Sequence, residues 1–235
     1  MKSERLISFY GKQEIKDAKI ADLKKHRELD NLMQKSYFDR DKQKGCAVTC
    51  TMFSPEDFKS LKVNTSDIHG RYETQLGIPR IIARLEDRIF EGMPIDAAKE
   101  WPLKFIEAVP VGVNIEHVWR KFMIWLLIDD TAGVIKFTKR EDSRQAIRNV
   151  AEAFARSLET TVLRDEWWKL RSAAAAADAA AYAAAAADAA AYAAAADAAD
   201  AADDDADAAG ARISAGQQHF ILMGEKLVEL LKEAK

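Results

Sequence analysis

Between Ala173 and Ala209 the chain holds 27 alanines, eight aspartates and two tyrosines, and no other stretch constrains the fold as strongly. A ten-residue unit, AAAAADAAAY, fills Ala173–Tyr182, repeats at Ala183–Tyr192 and decays into AADAADDDADAAG. Alanine is the best helix former because it gives up no side-chain entropy, so a helix is expected here. On a wheel of about 100° per residue, Asp178, Tyr182, Asp188, Tyr192, Asp197, Asp200, Asp203, Asp204 and Asp207 share one half, and only Asp205 departs. The other half is almost entirely alanine. A bare face lets a second helix approach to the short end of the roughly 8–10 Å axial range, which predicts a long helix, whole or broken, docked on its neighbours. The aspartates argue against a membrane span, since each is costly in hydrocarbon.

The net charge of −3 conceals an asymmetry: outside the run the chain carries 35 basic and 30 acidic groups. Body and run have opposite signs. This favours docking of the acidic helix on the body or on a basic protein partner, and disfavours nucleic acid at the acidic segment. At 235 residues the length suits one large domain with an extension, here a helical body over 1–171 and an Ala-rich repeat with a C-terminal helix over 172–235. The start, MKSERLISFYGKQEI, lacks the apolar core of a signal peptide, and the most apolar stretch, Val118 to Ile128, is interrupted by Arg120 and Lys121. A soluble, cytoplasmic protein without membrane attachment is the expectation. Two cysteines four residues apart do not make a secreted disulfide scaffold.

Taken in order, Lys12 to Lys35 reads as a helix with Ile15, Ala18, Leu23, His26, Leu29 and Met33 along one side. His26 on that stripe suits a core histidine satisfied by a hydrogen bond. Ser54 as N-cap, Pro55 after it and Glu56 and Asp57 in the first turn announce a short helix. The polar loop NTSDIHGRYETQLGIP follows, long enough to be functional. Pro79 opens a helix bearing Ile82, Leu85, Ile89 and Phe90, and Gly92 closes it. Two short helices are expected at Ile95–Glu100 and Pro102–Val109. Asn114 caps the most apolar helix, Ile115–Ile128, which reads as central. VIKFT reads as extended, a helix runs through Ile147, Val150, Phe154 and Leu158, and a last amphipathic helix follows Gly210. About eight helices without a convincing sheet give an all-α fold, a compact multi-helix body with the C-terminal helix packed against the Ala-rich one.

Candidate chemistry concentrates between Gly45 and Glu91. Cys46 and Cys50 would share a helical face, and His69 and Glu73 stand four apart after them, so zinc at Cys46, Cys50 and His69 is conceivable, although the spacing matches no standard zinc motif. Cys46 near a helix start and Lys44 could instead be a thiolate with His69 as its base, and Glu73 completes the catalytic candidates. Opposed to both is a structural role: two small half-buried thiols and a loop histidine bonded to backbone. Glu86, Asp87 and Glu91 beside Arg84 and Arg88 read as surface ion pairs. There is no P-loop, GxGxxG, GxSxG or HExxH. Asp197, Asp200, Asp203, Asp204 and Asp207 are the candidate partner-binding residues, because clustered aspartates repel one another unless positive charge answers them.

The strings KGCAVTCT, HGRYETQLGIPRIIARLEDRIFEGMP and AKEWPLKFIEAVPVG resemble a group of uncharacterised bacterial and phage proteins over Ser8 to Ile135. Ala-rich helical repeats are similar, less specifically, to tails of phage-borne and immunity proteins. The resemblance implies a helical protein of the mobile genome and lends no catalytic residue. Two functional classes follow. One is a non-enzymatic binding or inhibitory protein directed at a host defence system; the other is a small Cys/His-dependent enzyme or metal protein.

Overall fold

The computed structural model describes residues 6–60, 62–173 and 204–235, with side chains in the last segment from residue 216 onward. The chain divides into two compact units, Met1–Trp119 with Ala215–Lys235, and Arg120–Ser214. Among the described residues the fold is all-α; the exception is a two-stranded antiparallel ribbon, β1 (Phe38–Asp39) and β2 (Lys44–Gly45).

In the first unit α1 (Gln13–Glu28) lies against α2 (Ala47–Met52) and α6 (Ile95–Ala108). It stops short of Lys35 because Asp30 turns left-handed at φ 52°, and the Asn31 amide closes back onto the His26 carbonyl at 2.9 Å, the paired bonds of a helix C-terminus. Leu29 is therefore exposed, and Met33 instead bonds to Gly45 in the ribbon region. His26 is fully buried, and its Nε2 bonds the Phe53 carbonyl at 2.8 Å, as a core histidine should. Ser54 caps α3 (Pro55–Lys59) in a reciprocal capping box with Asp57.

The long polar loop carries structure of its own: α4 (Ile68–Arg71) continues into a wide π-type turn, Tyr72–Leu76. That turn ends on Gly77 at φ +63°, where a Cβ would lie 2.0 Å from the Ile7 carbonyl, so only glycine fits. Pro79 then starts α5 (Arg80–Gly92) as expected. One helix, α6, replaces the two expected around Pro102. A mid-helix proline removes one backbone bond at a cost of about 3 kcal/mol, and here Trp101, Leu103, Phe105 and Ile106 bury their side chains on both sides of it and hold the helix through.

Asn114 caps α7 (Glu116–Ile128) by accepting from the Glu116 amide at 2.9 Å. The division between units falls within this helix. Val118 and Phe122 are buried, but Met123 to Leu127 are only half-buried, so α7 is less central than its composition suggests. In the second unit VIKFT forms a 3-10 turn, Val134–Phe137, rather than a strand. Arg144 of α8 (Glu141–Ser157) pins that turn by donating to the Ile135 and Thr138 carbonyls at 3.0 and 3.2 Å. Residues 164–173 form α9. The last helix, α10 (Asp204–Glu233), runs straight through Gly210. Residues 174–203, most of the alanine run, lie outside the described residues, and with them the docking expected of its bare face. No described helix is long and apolar enough to cross a membrane.

Candidate functional site

Three of the first unit's polar side chains, Thr51, Tyr72 and Glu86, converge where α2, the π-type turn and α5 meet. α5 buries Ile82, Ala83, Ile89 and Phe90, and Glu86 lies on the same stripe, fully buried. Its Oε2 accepts from the Tyr72 hydroxyl at 2.6 Å, and Thr51 Oγ1 lies 3.3 Å from Oε1. Its backbone carbonyl accepts from Trp101 Nε1 at 3.0 Å. No cation is paired with it among the described residues. Burial therefore dominates, and the carboxyl is pushed up to about 8 although both hydroxyls favour its charged form. At neutral pH Glu86 is a protonated acid, and the Tyr72 phenol beside it is raised for the same reason, burial first and Glu86 second.

One residue further along, Asp87 turns to the rim. Its Oδ2 meets His69 Nε2 at 3.0 Å, with side-chain exposures of 15% for His69 and 16% for Asp87. Tyr37 stands edge-on to the imidazole with ring centroids 5.9 Å apart. A carboxylate that fixes an imidazole's orientation is the second half of an acid–base pair. Here the pair is half-buried at the edge of the core.

The thiols sit deeper. Cys46 precedes α2, and its amide donates to the Tyr37 carbonyl at 3.1 Å, which brings it into the neighbourhood of His69 without a hydrogen bond between them. Its Sγ lies 3.6 Å from Thr49 Oγ1, and burial, then the charge of Asp87, pushes the thiol up to about 12. A thiolate activated by the start of α2 is thus opposed by its surroundings. Cys50 is wholly buried, is raised by burial, and turns its Sγ to the Gly45 and Asn31 carbonyls. The two sulfurs contact Thr49 Oγ1 and the Gly45 and Asn31 carbonyls, and the imidazole contacts Asp87. Among the described residues no group of three or more His, Cys, Asp or Glu side chains is arranged to hold a metal ion. Glu73 serves the fold: its Oε1 accepts from the Arg80 amide at 3.0 Å at the start of α5, and its Oε2 lies 3.8 Å from the Arg80 guanidinium.

The reading of Glu86, Asp87 and Glu91 as surface ion pairs is corrected. Glu86 is interior, Asp87 serves His69, and Glu91 Oε2 accepts from the Lys35 amide at 2.7 Å. Of the acidic partner candidates, Asp197, Asp200 and Asp203 lie outside the described residues. Asp204 and Asp207 fall in the first turns of α10, where side chains are not described.

The second unit offers a different surface. Phe137, Leu163 and Trp168 are exposed by 70, 70 and 66%. A cavity of about 420 Å³ has Ile124, Ile128 and Ile135 on its walls and Arg148 at its edge. Lys136 lies over the Phe137 ring at 5.0 Å and Arg171 over Trp168 at 5.8 Å, so the exposed aromatics carry positive charge beside them. No family model, curated protein or solved structure matches the chain.

Proposed function

We propose that this is a non-enzymatic binding protein with a protein partner, encoded by a mobile element, as its sequence resemblance implies, and directed at a host defence system. One observation carries the reading: the second unit presents Phe137, Leu163 and Trp168 to solvent, whereas Cys46, Cys50, Tyr72 and Glu86 of the first unit are closed from it. Large exposed aromatics with a cation alongside are typical anchors of protein interfaces, and tryptophan is the residue most enriched among their energetic centres. The acidic run selects for a basic partner by steering. Capture from bacterial lysate with the wild type, with Trp168→Ala, and with Asp200, Asp203, Asp204 and Asp207 changed together to Asn tests this. One retained protein should disappear with Trp168→Ala and lose its salt sensitivity with the Asn variant. Identical retention by all three proteins would overturn the reading.

The alternative, an enzyme centred on Cys46, Cys50 and His69, draws on the His69–Asp87 pair. In that case His69 is the base, and Cys46 must become accessible. Alkylation of native protein decides it. A nucleophilic Cys46 reacts before unfolding, whereas a sealed thiol reacts only when the chain opens.

A further inference from the structure

In the second unit α9 is fixed to α8 along one side. Trp167 packs on Phe154 with ring centroids 4.8 Å apart, and Glu166 pairs with Arg156. A second stripe of α9 turns to solvent. At about 100° per residue Arg164, Trp168 and Arg171 fall within an arc of about 60°, and all three are exposed. The Arg171 guanidinium stands over the Trp168 ring at 5.8 Å from its centroid.

The two helices differ in how their positive charge is answered. On α8, Arg144 and Arg148 reach Glu141 at 3.8 and 2.7 Å, and Arg156 reaches Glu166, so each arginine of that helix has a carboxylate. On α9, Arg164, Lys169 and Arg171 are exposed, and none of them is in an ion pair among the described residues. Asp165, at the edge of the stripe, is unpaired on the same terms. Like charges gathered on one helix face oppose folding unless negative charge answers them, and an indole left in water beside them gains nothing in an isolated chain. One kind of contact satisfies both. Carboxylates take guanidinium groups in paired, charge-assisted hydrogen bonds, and an apolar group between them covers the indole. Tryptophan and arginine together are the residues most enriched at the energetic centres of protein interfaces.

We infer, on the reading of this chain as a binding protein, that the Arg164–Trp168–Arg171 stripe is the seat of the partner and that the partner presents carboxylates to it. The acidic run follows α9 directly in the sequence. A partner of one sign would be drawn to one of these segments and repelled by the next, so the partner carries both signs, and their order sets its direction along the chain.

Titration of the full chain with short poly-L-glutamate, followed by tryptophan emission, tests the inference, with circular dichroism confirming that each variant folds. The wild type should bind at low salt and release the peptide as salt rises. Arg164→Glu/Arg171→Glu should weaken binding about tenfold or more, and Asp165→Asn should strengthen it about twofold. Absence of binding at low salt, or a response of the opposite sign, overturns the inference. So does tighter binding of oligo-deoxythymidylate through the same three residues, which would give the stripe to nucleic-acid phosphate. Capture from bacterial lysate separates this inference from the reading it rests on. A protein that is lost with Trp168→Ala yet held by Arg164→Glu/Arg171→Glu leaves a protein partner in place and removes its carboxylates, whereas equal retention by all variants removes the partner itself.

Discussion

Residues 45–92 and residues 134–173 treat polarity in opposite ways. The first segment takes Cys46, Thr49, Cys50, Thr51, Tyr72 and Glu86 out of water, while the second leaves Phe137, Leu163 and Trp168 in it. Burial of a polar group is costly unless it is hydrogen-bonded, and Glu86 is both bonded and protonated, so the first segment is built as a closed, position-fixing core. Exposure of aromatic surface gains nothing in an isolated chain, so the second segment is where the proposed partner contact would lie.

The largest effect expected from this contrast is a pH dependence of stability centred on Glu86. Below its ordinary value of 4.5 the carboxyl is protonated both folded and unfolded, and it imposes no penalty. Between 4.5 and about 8 the unfolded chain releases the proton while the folded chain keeps it, so stability falls as pH rises, and the loss is complete above about 8. The fall should be on the order of a few kcal/mol. Glu86→Gln keeps an oxygen for the Tyr72 hydroxyl and has no proton to lose. Urea unfolding at steps from about pH 5 to about pH 9 should show a wild type whose stability declines and a Glu86→Gln variant whose decline is shallower, with the variant the more stable at the alkaline end. Equal slopes would mean that Glu86 is ionised in the fold and that the closed-core half of the comparison is wrong.

Next in size is Tyr72→Phe. It strips the donor from Glu86 Oε2 at 2.6 Å and leaves a buried acceptor unpaired, at a cost of about 1–3 kcal/mol. Because that hydroxyl favours the charged carboxylate, its loss should also move the alkaline end of the pH decline upward. Chemical denaturation of the variant across the same pH range reads both changes. A stability loss without movement of that end would assign Tyr72 to packing alone.

Much of the scaffold was legible in local chemistry. Ser54, Pro79, Gly92 and Asn114 each mark an element end because capping and φ restriction act within a few residues. The position of Glu86 is also legible in the spacing of α5: it lies four residues after Ile82 and three and four before Ile89 and Phe90, in the middle of the buried stripe. The charged neighbours Arg84, Asp87 and Arg88 mask it in composition. The His69–Asp87 pair was not legible, since it joins residues 18 apart through a π-type turn whose course depends on Gly77 meeting Ile7. Nor was the continuity of α6, where burial on both sides of Pro102 overrides a local stop signal.

The smallest effect is also the sharpest test of the comparison, because it falls on two adjacent identical residues. Trp167 is half-buried and packs on Phe154 with ring centroids 4.8 Å apart, whereas Trp168 is 66% exposed with Arg171 over its ring. Trp167→Ala should cost about 1–2 kcal/mol, the aromatic pairing plus part of the ring's burial. Trp168→Ala removes area that is already in water, so its effect on the melting curve should stay within about 0.5 kcal/mol. Thermal melts of the two variants side by side measure the difference. Equal destabilisation would show that Trp168 is packed in the folded protein, and an aromatic held by the fold is not one kept free for a partner. A silent Trp168→Ala melt combined with lost capture would place its side chain at the interface, since a change that leaves the fold untouched can weaken binding only through the contact it removes.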